Sequence, residues 1–310
     1  MSRFRPENVS KHSAKVFHEL PHGDRSIEDI CAVVKLAMNN GKKPLDKAGL
    51  DFGRHYDIKG KVVLDAGCGS GVKAIPMAFK GAKHVIGLDA SLEAVTRATA
   101  VAKKLKVENI TFVNGFIEDL EPILRDAKLG KVDVIVNLQN LHHTEDWQNN
   151  LKIFNLCLKR GGILICNVAD PTAGRGNFMI KNKLSYCLGN STNTRIKIGQ
   201  ILFGWIDKRK NIEKIEWEAF YADLYAAFYH WITPRKMLSA LGNAEFELID
   251  SFPHVTLDHW FKGGPKSKKV ILVKKWLEKA AFLRPMFYCL MRLRQWMWGG
   301  DNRTYYARKR

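Results

Sequence analysis

The sequence lacks the features that mark secreted, membrane-spanning and metal-binding proteins. Its first residues contain no apolar segment of the signal-peptide kind, so we expect no signal peptide. No run of about 18 apolar residues occurs, so we expect no conventional transmembrane helix. The six cysteines are scattered, with neither a CxxC pair nor a His/Cys cluster of zinc spacing. We therefore expect a cytoplasmic protein without a disulfide framework or a metal site.

The sequence also lacks internal repeats and low-complexity runs, and its composition is that of a globular protein. Of its 310 residues, 46% are hydrophobic and 26% are charged, which supports a substantial core. This length suits one large domain with insertions, or two small domains.

The positive charge is concentrated towards the C-terminal end. The formal net charge is +19, and residues 262–310 hold 14 Lys or Arg against two acidic residues, a net +12. Such a segment suits an anionic partner, either nucleic acid, an acidic lipid surface or a phosphorylated substrate, or it is simply a solubilising tail. Residues 276–298 mix Trp, Phe, Met and Leu with Lys and Arg, so a membrane-interface helix broken at Pro285 and a helix docked on the core both stay open. We expect residues 303–310 to be mobile.

Short apolar runs alternate with helical patterns from Lys59 onward. The runs predict strands at residues 62–65, 85–89, 110–113, 132–136, 163–168, 246–250 and 269–273. The helical patterns lie at residues 27–38, 71–80, 91–106, 147–159 and 233–241. Alternation of this kind is typical of an α/β fold with a doubly wound, mostly parallel seven-stranded sheet, covered by helices on both faces. Ligands of such sheets bind at the carboxyl ends of the strands.

We predict three parts along the chain. Residues 1–45 form an N-terminal helical segment, residues 45–275 form the main domain, and residues 276–310 form a basic, amphipathic helical extension. An aromatic insertion at about residues 170–232 interrupts the main domain. We interpret it as a lid over an apolar acceptor, the alternative being a satellite core.

A glycine-rich turn, Asp65-Ala66-Gly67-Cys68-Gly69-Ser70-Gly71, follows the first predicted strand. Its glycines allow a tight turn that brings backbone N–H groups close to a ligand. It is neither a dinucleotide fingerprint, because position 72 is Val72, nor a P-loop. Asp89 closes the second strand, where an acid accepts hydrogen bonds from ribose hydroxyls. The two features predict a nucleoside site, although Asp89 is alternatively only a helix cap.

Four segments resemble the motifs of class I S-adenosylmethionine-dependent methyltransferases, whose sheet is Rossmann-like. Residues 65–71 resemble the first motif, and residues 85–89 the second. Residues 137–143 (Asn-Leu-Gln-Asn-Leu-His-His) resemble the fourth-strand segment of the small-molecule branch, such as quinone and sterol methyltransferases. Residues 159–165 resemble the turn into the fifth strand. The resemblance covers about residues 45–275.

The resemblance implies that S-adenosylmethionine is the cofactor and that Asp65 holds its amino group, Asp89 its ribose. The cofactor-binding residues that it implies are Asp65, Gly67, Cys68, Gly69, Gly71, Asp89, Ala90, Ser91, Phe116, Ile117 and Asn137. One position departs from the pattern, because Phe116 follows Gly115 where the family often has Asp. We expect Phe116 to flank the adenine instead.

Methyl transfer from a sulfonium chiefly requires alignment of the nucleophile, the carbon and the sulfur. A base is needed only when the acceptor is protonated. The resemblance places His142 and His143 at the substrate side, with His143 the first candidate for this base, and His230 lies in the aromatic insertion. Structural roles in capping or aromatic packing are the alternative for each.

The sequence therefore favours methyl transfer to a small-molecule acceptor, lipid-linked or carbohydrate, at oxygen, nitrogen or carbon. The basic C-terminal segment would contact an anionic membrane peripherally. An RNA or other nucleic-acid methyltransferase is the alternative, although the Asn/Asp-Pro-Pro-Tyr segment is replaced by Asn137-Leu138-Gln139-Asn140 and no Pro-Cys nucleophile exists. A non-catalytic, cofactor-binding scaffold at a membrane surface is the third hypothesis.

Overall fold

The structure, a computed structural model, describes residues 26–39, 57–126, 129–173, 230–253, 286, 289 and 302–310. A seven-stranded sheet runs through these residues. Its strands are β1 (Val62–Ala66), β2 (His84–Asp89), β3 (Ile110–Asn114), β4 (Val132–Leu138), β5 (Leu158–Ala169), β6 (Phe246–Pro253) and β7 (Asn302–Lys309).

The strand order is β3-β2-β1-β4-β5-β7-β6. Strands β1 to β5 pair in parallel, whereas β7 runs antiparallel to both β5 and β6. The central strands are almost wholly buried because they consist of continuous apolar runs, as strands covered on both faces require. The predicted doubly wound, mostly parallel seven-stranded sheet is confirmed.

Helices cover both faces of the sheet. They are α1 (Ile27–Asn39), α2 (Ala74–Phe79), α3 (Leu92–Lys104), α4 (Leu120–Asp126), α5 (Trp147–Cys157) and α6 (Pro234–Asn243). One core joins apolar residues of α4, α5 and α6 to the sheet, and α2 packs against the opposite face. A third cluster joins α1 to α2 and α3. The helix predicted from Ile27 therefore belongs to the same fold as the sheet.

Two local boundaries have clear physical causes. Proline lacks an N–H and is tolerated in the first turn of a helix, and α2 begins at Ala74 with Pro76 in that turn. Ser91 caps α3, because its hydroxyl accepts the Ala94 N–H at 3.2 Å. The helix predicted over residues 147–159 ends earlier, at Cys157, because the chain enters β5 at Leu158.

The seventh strand of the described sheet is residues 302–309, and the strand predicted at residues 269–273 lies outside the described residues. The expectation that residues 303–310 are mobile is wrong, since this segment pairs with β5 on one side and β6 on the other. The domain therefore extends to Lys309 rather than ending at residue 275. The basic, Trp-rich residues assigned to a C-terminal extension precede a strand of the central sheet.

The charged side chains at both ends of β7 donate hydrogen bonds to acceptors in other parts of the fold. Arg303 donates from Nε to Oδ2 of Asp170 at 2.6 Å, and the Asp170 carboxylate is fully buried. Lys309 donates from Nζ to the carbonyl oxygens of Asn155 and Leu158 at 2.6 and 3.0 Å. The basic residues that suggested a solvated tail thus anchor a buried strand.

Both long insertions leave and rejoin the sheet at the carboxyl ends of the parallel strands. Residues 174–229, most of the predicted lid, follow the end of β5, and residues 254–301 connect β6 with β7; apart from residues 286 and 289, both lie outside the described residues. Ala169 and Pro253, at the ends of β5 and β6, are register partners of Asn302 and Arg303. Among the described helices, none is both long and apolar enough to cross a bilayer.

Candidate functional site

The strand order reverses at β1, and this reversal creates a crevice. β2 and β3 lie on one side of β1, whereas β4 and the later strands lie on the other. The loops that follow β1 and β4 therefore part at the carboxyl edge, which is where doubly wound sheets bind ligands. The glycine-rich turn borders one side of this crevice, and residues 139–144 border the other.

Hydrogen bonds to β2 hold the glycine-rich turn in place. The N–H groups of Gly67 and Cys68 donate to the Leu88 carbonyl at 2.7 and 3.0 Å. The Gly69 N–H donates to Oδ2 of Asp89 at 2.8 Å. The turn and the strand-end acid, 22 positions apart in sequence, therefore form one unit.

At two positions of the turn, only glycine fits. Gly67 has φ +82°, and a Cβ there would lie 2.7 Å from the side chain of Asn140. Gly71 has φ +76°, and its Cβ would lie 2.9 Å from Cζ of Phe112. Residues other than glycine rarely adopt this left-handed backbone region, and the neighbouring side chains leave no room for a Cβ, so both positions require glycine.

Asp89 lies half-buried at the end of β2, and both of its oxygens face backbone donors. Oδ1 accepts the Ser91 N–H at 3.0 Å, and Oδ2 accepts the Gly69 N–H. Asp89 is not the helix cap, because the hydroxyl of Ser91 has that role. A carboxylate offers about four acceptor positions, so it can accept more than one hydrogen bond at each oxygen.

The end of β3 lies beside Asp89. The Gly115 N–H donates to the backbone oxygen of Asp89 at 3.0 Å, which places Phe116, partly exposed, next to the predicted nucleoside position. Ile117 packs into the core, and Ser91 is buried with its hydroxyl in use. Ile117 and Ser91 therefore have only their backbones to offer, whereas Phe116 has a ring and Ala90 a partly exposed methyl group.

Asp65 is the strongest indication that the crevice binds a cation. Its side chain is 2% exposed, and Oδ2 accepts no hydrogen bond from any described residue. Burial raises the pKa of Asp65 to about 7, with Asp89 adding to the shift and Lys73 opposing it. A buried acceptor without a donor is costly. The ammonium group of S-adenosylmethionine fits this position, so Asp65 would hold it.

Asn137 is a buried residue of β4 that stabilises the two loops bordering the site. It is fully buried; its Nδ2 donates to the Ala66 carbonyl at 2.9 Å, and its Oδ1 accepts the Leu141 N–H at 3.1 Å. The amide thus ties the glycine turn to the loop after β4. Asn137 is therefore better placed to orient the two loops of the site than to contact the cofactor directly.

The structure brings the three candidate histidines together. His142 and His143 lie in a 3₁₀ turn, Leu141–His143, with ring centroids 4.1 Å apart, and they are 2% and 8% exposed. The His230 N–H donates to the His142 carbonyl at 2.8 Å, and the Ile232 N–H donates to the Ala169 carbonyl at the same distance. The chain that returns from the aromatic insertion therefore docks between the ends of β4 and β5.

Sequence reasoning missed three residues of this edge. Asn140 contacts Gly67, Lys73 interacts electrostatically with Asp65, and Asp170 pairs with Arg303. Lys73 lies two residues after the quoted motif and could have been singled out by its charge. The pairing of Asp170 with Arg303 joins residues too far apart in sequence to be recognised from a pattern.

The fold and this crevice define the class of S-adenosylmethionine-dependent methyltransferases built on a doubly wound sheet. A family profile described as a methyltransferase domain matches residues 57–216, and the chain belongs to that family. Residues 57–216 of the chain are therefore a methyltransferase domain.

Among curated proteins, the chain is 30% identical over 155 residues to the ubiquinone biosynthesis O-methyltransferase of Rickettsia canadensis, covering 50% of this chain and 56% of that protein. It is 36% identical over 83 residues to protein arginine N-methyltransferase 1 of Chlamydomonas reinhardtii, covering 26% and 22%. The chain thus spans about half the length, or less, of these relatives. Among solved structures, the magnesium protoporphyrin IX methyltransferase of Synechocystis PCC 6803, with bound SAH, has a TM-score of 0.48 and 15% identity, covering 98% of each chain.

Proposed function

We propose that the protein methylates a small, lipid-linked acceptor, and that His143 removes the acceptor's proton. The observation that carries this proposal is the meeting of His142, His143 and His230 at the edge where the aromatic insertion begins and ends. This edge adjoins the glycine turn through the contact of Asn140 with Gly67. A ring-containing acceptor held by aromatic side chains would reach both the methyl group and an imidazole there.

The reaction is an in-line displacement. A lone pair of the acceptor forms the new bond to the methyl carbon while the carbon–sulfur bond breaks, and the sulfonium becomes a neutral thioether. For a hydroxyl acceptor, an imidazole nitrogen of His143 takes the released proton and later passes it to water. Asp65, Asp89 and Phe116 would position the cofactor, and the burial of the two adjacent imidazoles would limit the access of water.

The function is tested by supplying methyl-labelled S-adenosylmethionine to cell extract with the purified protein. The extract is then divided into lipids, water-soluble metabolites, RNA and protein, and the label is identified by mass spectrometry. Label in the lipid fraction supports the proposal. Label in carbohydrate, RNA or protein alone would reject the lipid-linked acceptor and favour the corresponding class, and RNA is the alternative that the net charge of +19 favours.

We expect His143→Gln to lower kcat on the labelled acceptor by about 10²- to 10⁴-fold, the usual contribution of a general base. Binding of S-adenosylhomocysteine should be unchanged, because the imidazole does not hold the cofactor. His84→Gln is the matched control, since His84 lies at the amino end of β2, on the opposite edge of the sheet. Full activity of His143→Gln at all pH values would eliminate His143 as the base.

A peripheral membrane contact is part of the same proposal. Residues 254–301 contain ten Lys or Arg, three acidic residues and four Trp, a composition typical of segments that bind anionic lipid interfaces. Both flanks of this segment, Pro253 and Asn302, lie at the carboxyl edge of the sheet, on the side of the histidines. The lipid-binding surface and the acceptor entrance would therefore face the same bilayer.

Vesicle sedimentation tests the membrane contact. We expect the protein to sediment with vesicles that contain phosphatidylserine and to stay in solution with phosphatidylcholine alone. Added salt should weaken the binding, because the attraction of exposed charges is screened. Substituting Lys274, Lys275 and Lys279 by Gln should weaken it further, whereas the same change at exposed Lys80, Lys83 and Lys103 is the control. Equal binding by both triple variants would argue against this segment as the contact.

A further inference from the structure

The edge of the sheet opposite the crevice carries a concentration of positive charge. Strands β1 to β6 all start at this edge, and β7, which runs against β5 and β6, ends there. These strand ends hold thirteen Lys or Arg against five Asp or Glu. We call this surface the basic edge; it comprises residues 57–61, 80–84, 103–109, 129–133, 158–161, 243–247 and 308–310.

The positive charges form a row along the basic edge. Six adjacent strands, in the order β3, β2, β1, β4, β5 and β7, each have an exposed basic side chain at this end or in the segment that leads to it. Neighbouring strands lie about 4.8 Å apart, so the row is about 24 Å long. A row of this length suits a linear polyanion. The exposed basic residues are Lys59, Lys80, Lys83, Lys103, Lys104, Lys106, Lys131, Lys159, Arg160, Arg308 and Arg310.

Few of these charges are neutralised within the fold. Lys159 pairs with Asp133 at 2.9 Å, and Lys104 pairs with Glu28. In the part of the chain that the structure describes, the other nine exposed basic residues of the edge make no ion pair. Like charges crowded on one surface repel each other and attract an anionic partner.

Helix dipoles explain only part of this pattern. Lys80 lies at the C-terminal end of α2 and Lys103 in the last turn of α3, where a cation is favourable. Lys83, Lys131 and Arg160 lie instead near the starts of β2, β4 and β5. A surface of mixed sign would serve solubility equally well, so the excess of one sign requires another explanation.

The residue types of the basic edge favour a nucleic-acid duplex over a single strand or a membrane. Apart from buried Phe246, its segments contain no Phe, Tyr or Trp, and Phe79 directly precedes one of them. Single strands bind by stacking their bases on aromatic side chains, and membrane-interface segments insert Trp, Phe or Leu. The backbone of a duplex presents regularly spaced phosphates, which Lys and Arg bind without aromatic partners.

We propose that the basic edge docks the phosphate backbone of a double-stranded nucleic acid, independently of its base sequence. The crevice lies at the other ends of the same strands, and β1 and β4, of five and seven residues, separate the two edges by about 15 to 25 Å. The duplex is therefore a docking partner that leaves the crevice free. It is distinct from the methyl acceptor of the proposed function.

The experiment measures the anisotropy of a labelled RNA duplex of about 20 base pairs, titrated with the full chain between about 50 and 200 mM salt. The variant replaces Lys83, Lys131 and Arg160 by Gln, all at exposed positions. We expect its affinity to fall roughly 10- to 100-fold, and the slope of log affinity against log salt to fall by about 2 to 3, since each lost phosphate contact removes about one. A DNA duplex should behave alike, and single-stranded RNA should bind more weakly.

The matched control replaces Lys152, Arg235 and Lys236 by Gln. It also removes two Lys and one Arg from exposed positions, which lie in α5 and in the first turn of α6. Its duplex affinity should stay close to that of the unsubstituted protein, and both variants should keep the unsubstituted melting temperature. Saturating S-adenosylhomocysteine should leave duplex binding unchanged, because the two sites lie at opposite edges of the sheet.

Three results would overturn the proposal. Equal weakening by the two triple variants would mean that the net charge alone attracts the duplex. Competition between the duplex and S-adenosylhomocysteine would place the nucleic acid at the crevice. Loss of binding to phosphatidylserine vesicles in the first variant, with duplex binding unaffected, would assign the basic edge to a membrane.

Discussion

Deletion of residues 302–310 is expected to prevent folding, although these residues look like a dispensable basic tail. The deletion removes the strand between β5 and β6, so β5 loses one of its two neighbours and β6 loses the strand with which it pairs. Tyr305 and Tyr306 are 1% and 0% exposed, and loss of a buried aromatic side chain costs about 3 to 5 kcal/mol. Two such losses already approach the net stability of a typical domain, about 5 to 15 kcal/mol. We expect the truncated protein to be insoluble or to show no cooperative thermal transition.

A variant that removes only charge distinguishes the contribution of the β7 backbone and core from that of its charged side chains. Arg308 and Arg310 are exposed, so Arg308→Gln with Arg310→Gln lowers the charge while leaving the backbone of β7 in place. This variant should melt within a few degrees of the unsubstituted protein in differential scanning calorimetry. A truncated protein that melts normally and binds S-adenosylhomocysteine would show that β7 is dispensable.

The second large effect is expected from Asp65→Asn, which should weaken S-adenosylhomocysteine binding by about 100-fold or more, as loss of a buried ionic hydrogen bond does. The pH dependence should change as well. Burial raises the pKa of Asp65 to about 7, so the empty site holds a protonated carboxyl below that pH. Binding of an ammonium group requires the carboxylate, so affinity should fall as pH drops below about 7 and level off above it.

Titrations between about pH 5.5 and 7.5 check both parts of this expectation. At the acidic end, heats measured in buffers of different ionisation enthalpy should show that binding releases a proton. Asp65→Asn should have a flat profile, and Asp126→Asn, at an exposed position in α4, should behave like the unsubstituted protein. A flat profile in the unsubstituted protein would mean that Asp65 does not exchange a proton when the ligand binds.

Local patterns predicted most of the fold, whereas its last strand needed tertiary information. The first six strands are short apolar runs between helices, so their burial follows from composition. β7 carries Arg303, Arg308 and Lys309 near its ends, and the pattern resembled a solvated tail. Its burial depends on Asp170 and on the carbonyl groups of Asn155 and Leu158, which accept its terminal charges. No local pattern contains those partners.

The residues of the candidate site also fall into two groups, those that local sequence patterns predict and those that depend on tertiary contacts. The glycine turn and Asp89 were predictable because the turn conformation and the strand-end acid are encoded locally. The contact of Asn140 with Gly67 and the meeting of His142 with His230 arise from neighbouring strands and a returning insertion. Such contacts join separate parts of the chain, so the sequence indicated candidate histidines but not their juxtaposition.

The position of β7 has a consequence for the nascent chain. β7 lies between β5 and β6 but emerges from the ribosome after residues 254–301, which follow β6. At synthesis rates of about 5 to 20 residues per second, that interval lasts roughly 2 to 10 seconds. Throughout it, β5 exposes an unpaired edge, and β6 has no place in the sheet. An edge open for seconds invites pairing with other chains, so cotranslational chaperones that shield such edges would determine how much of this protein reaches its native state.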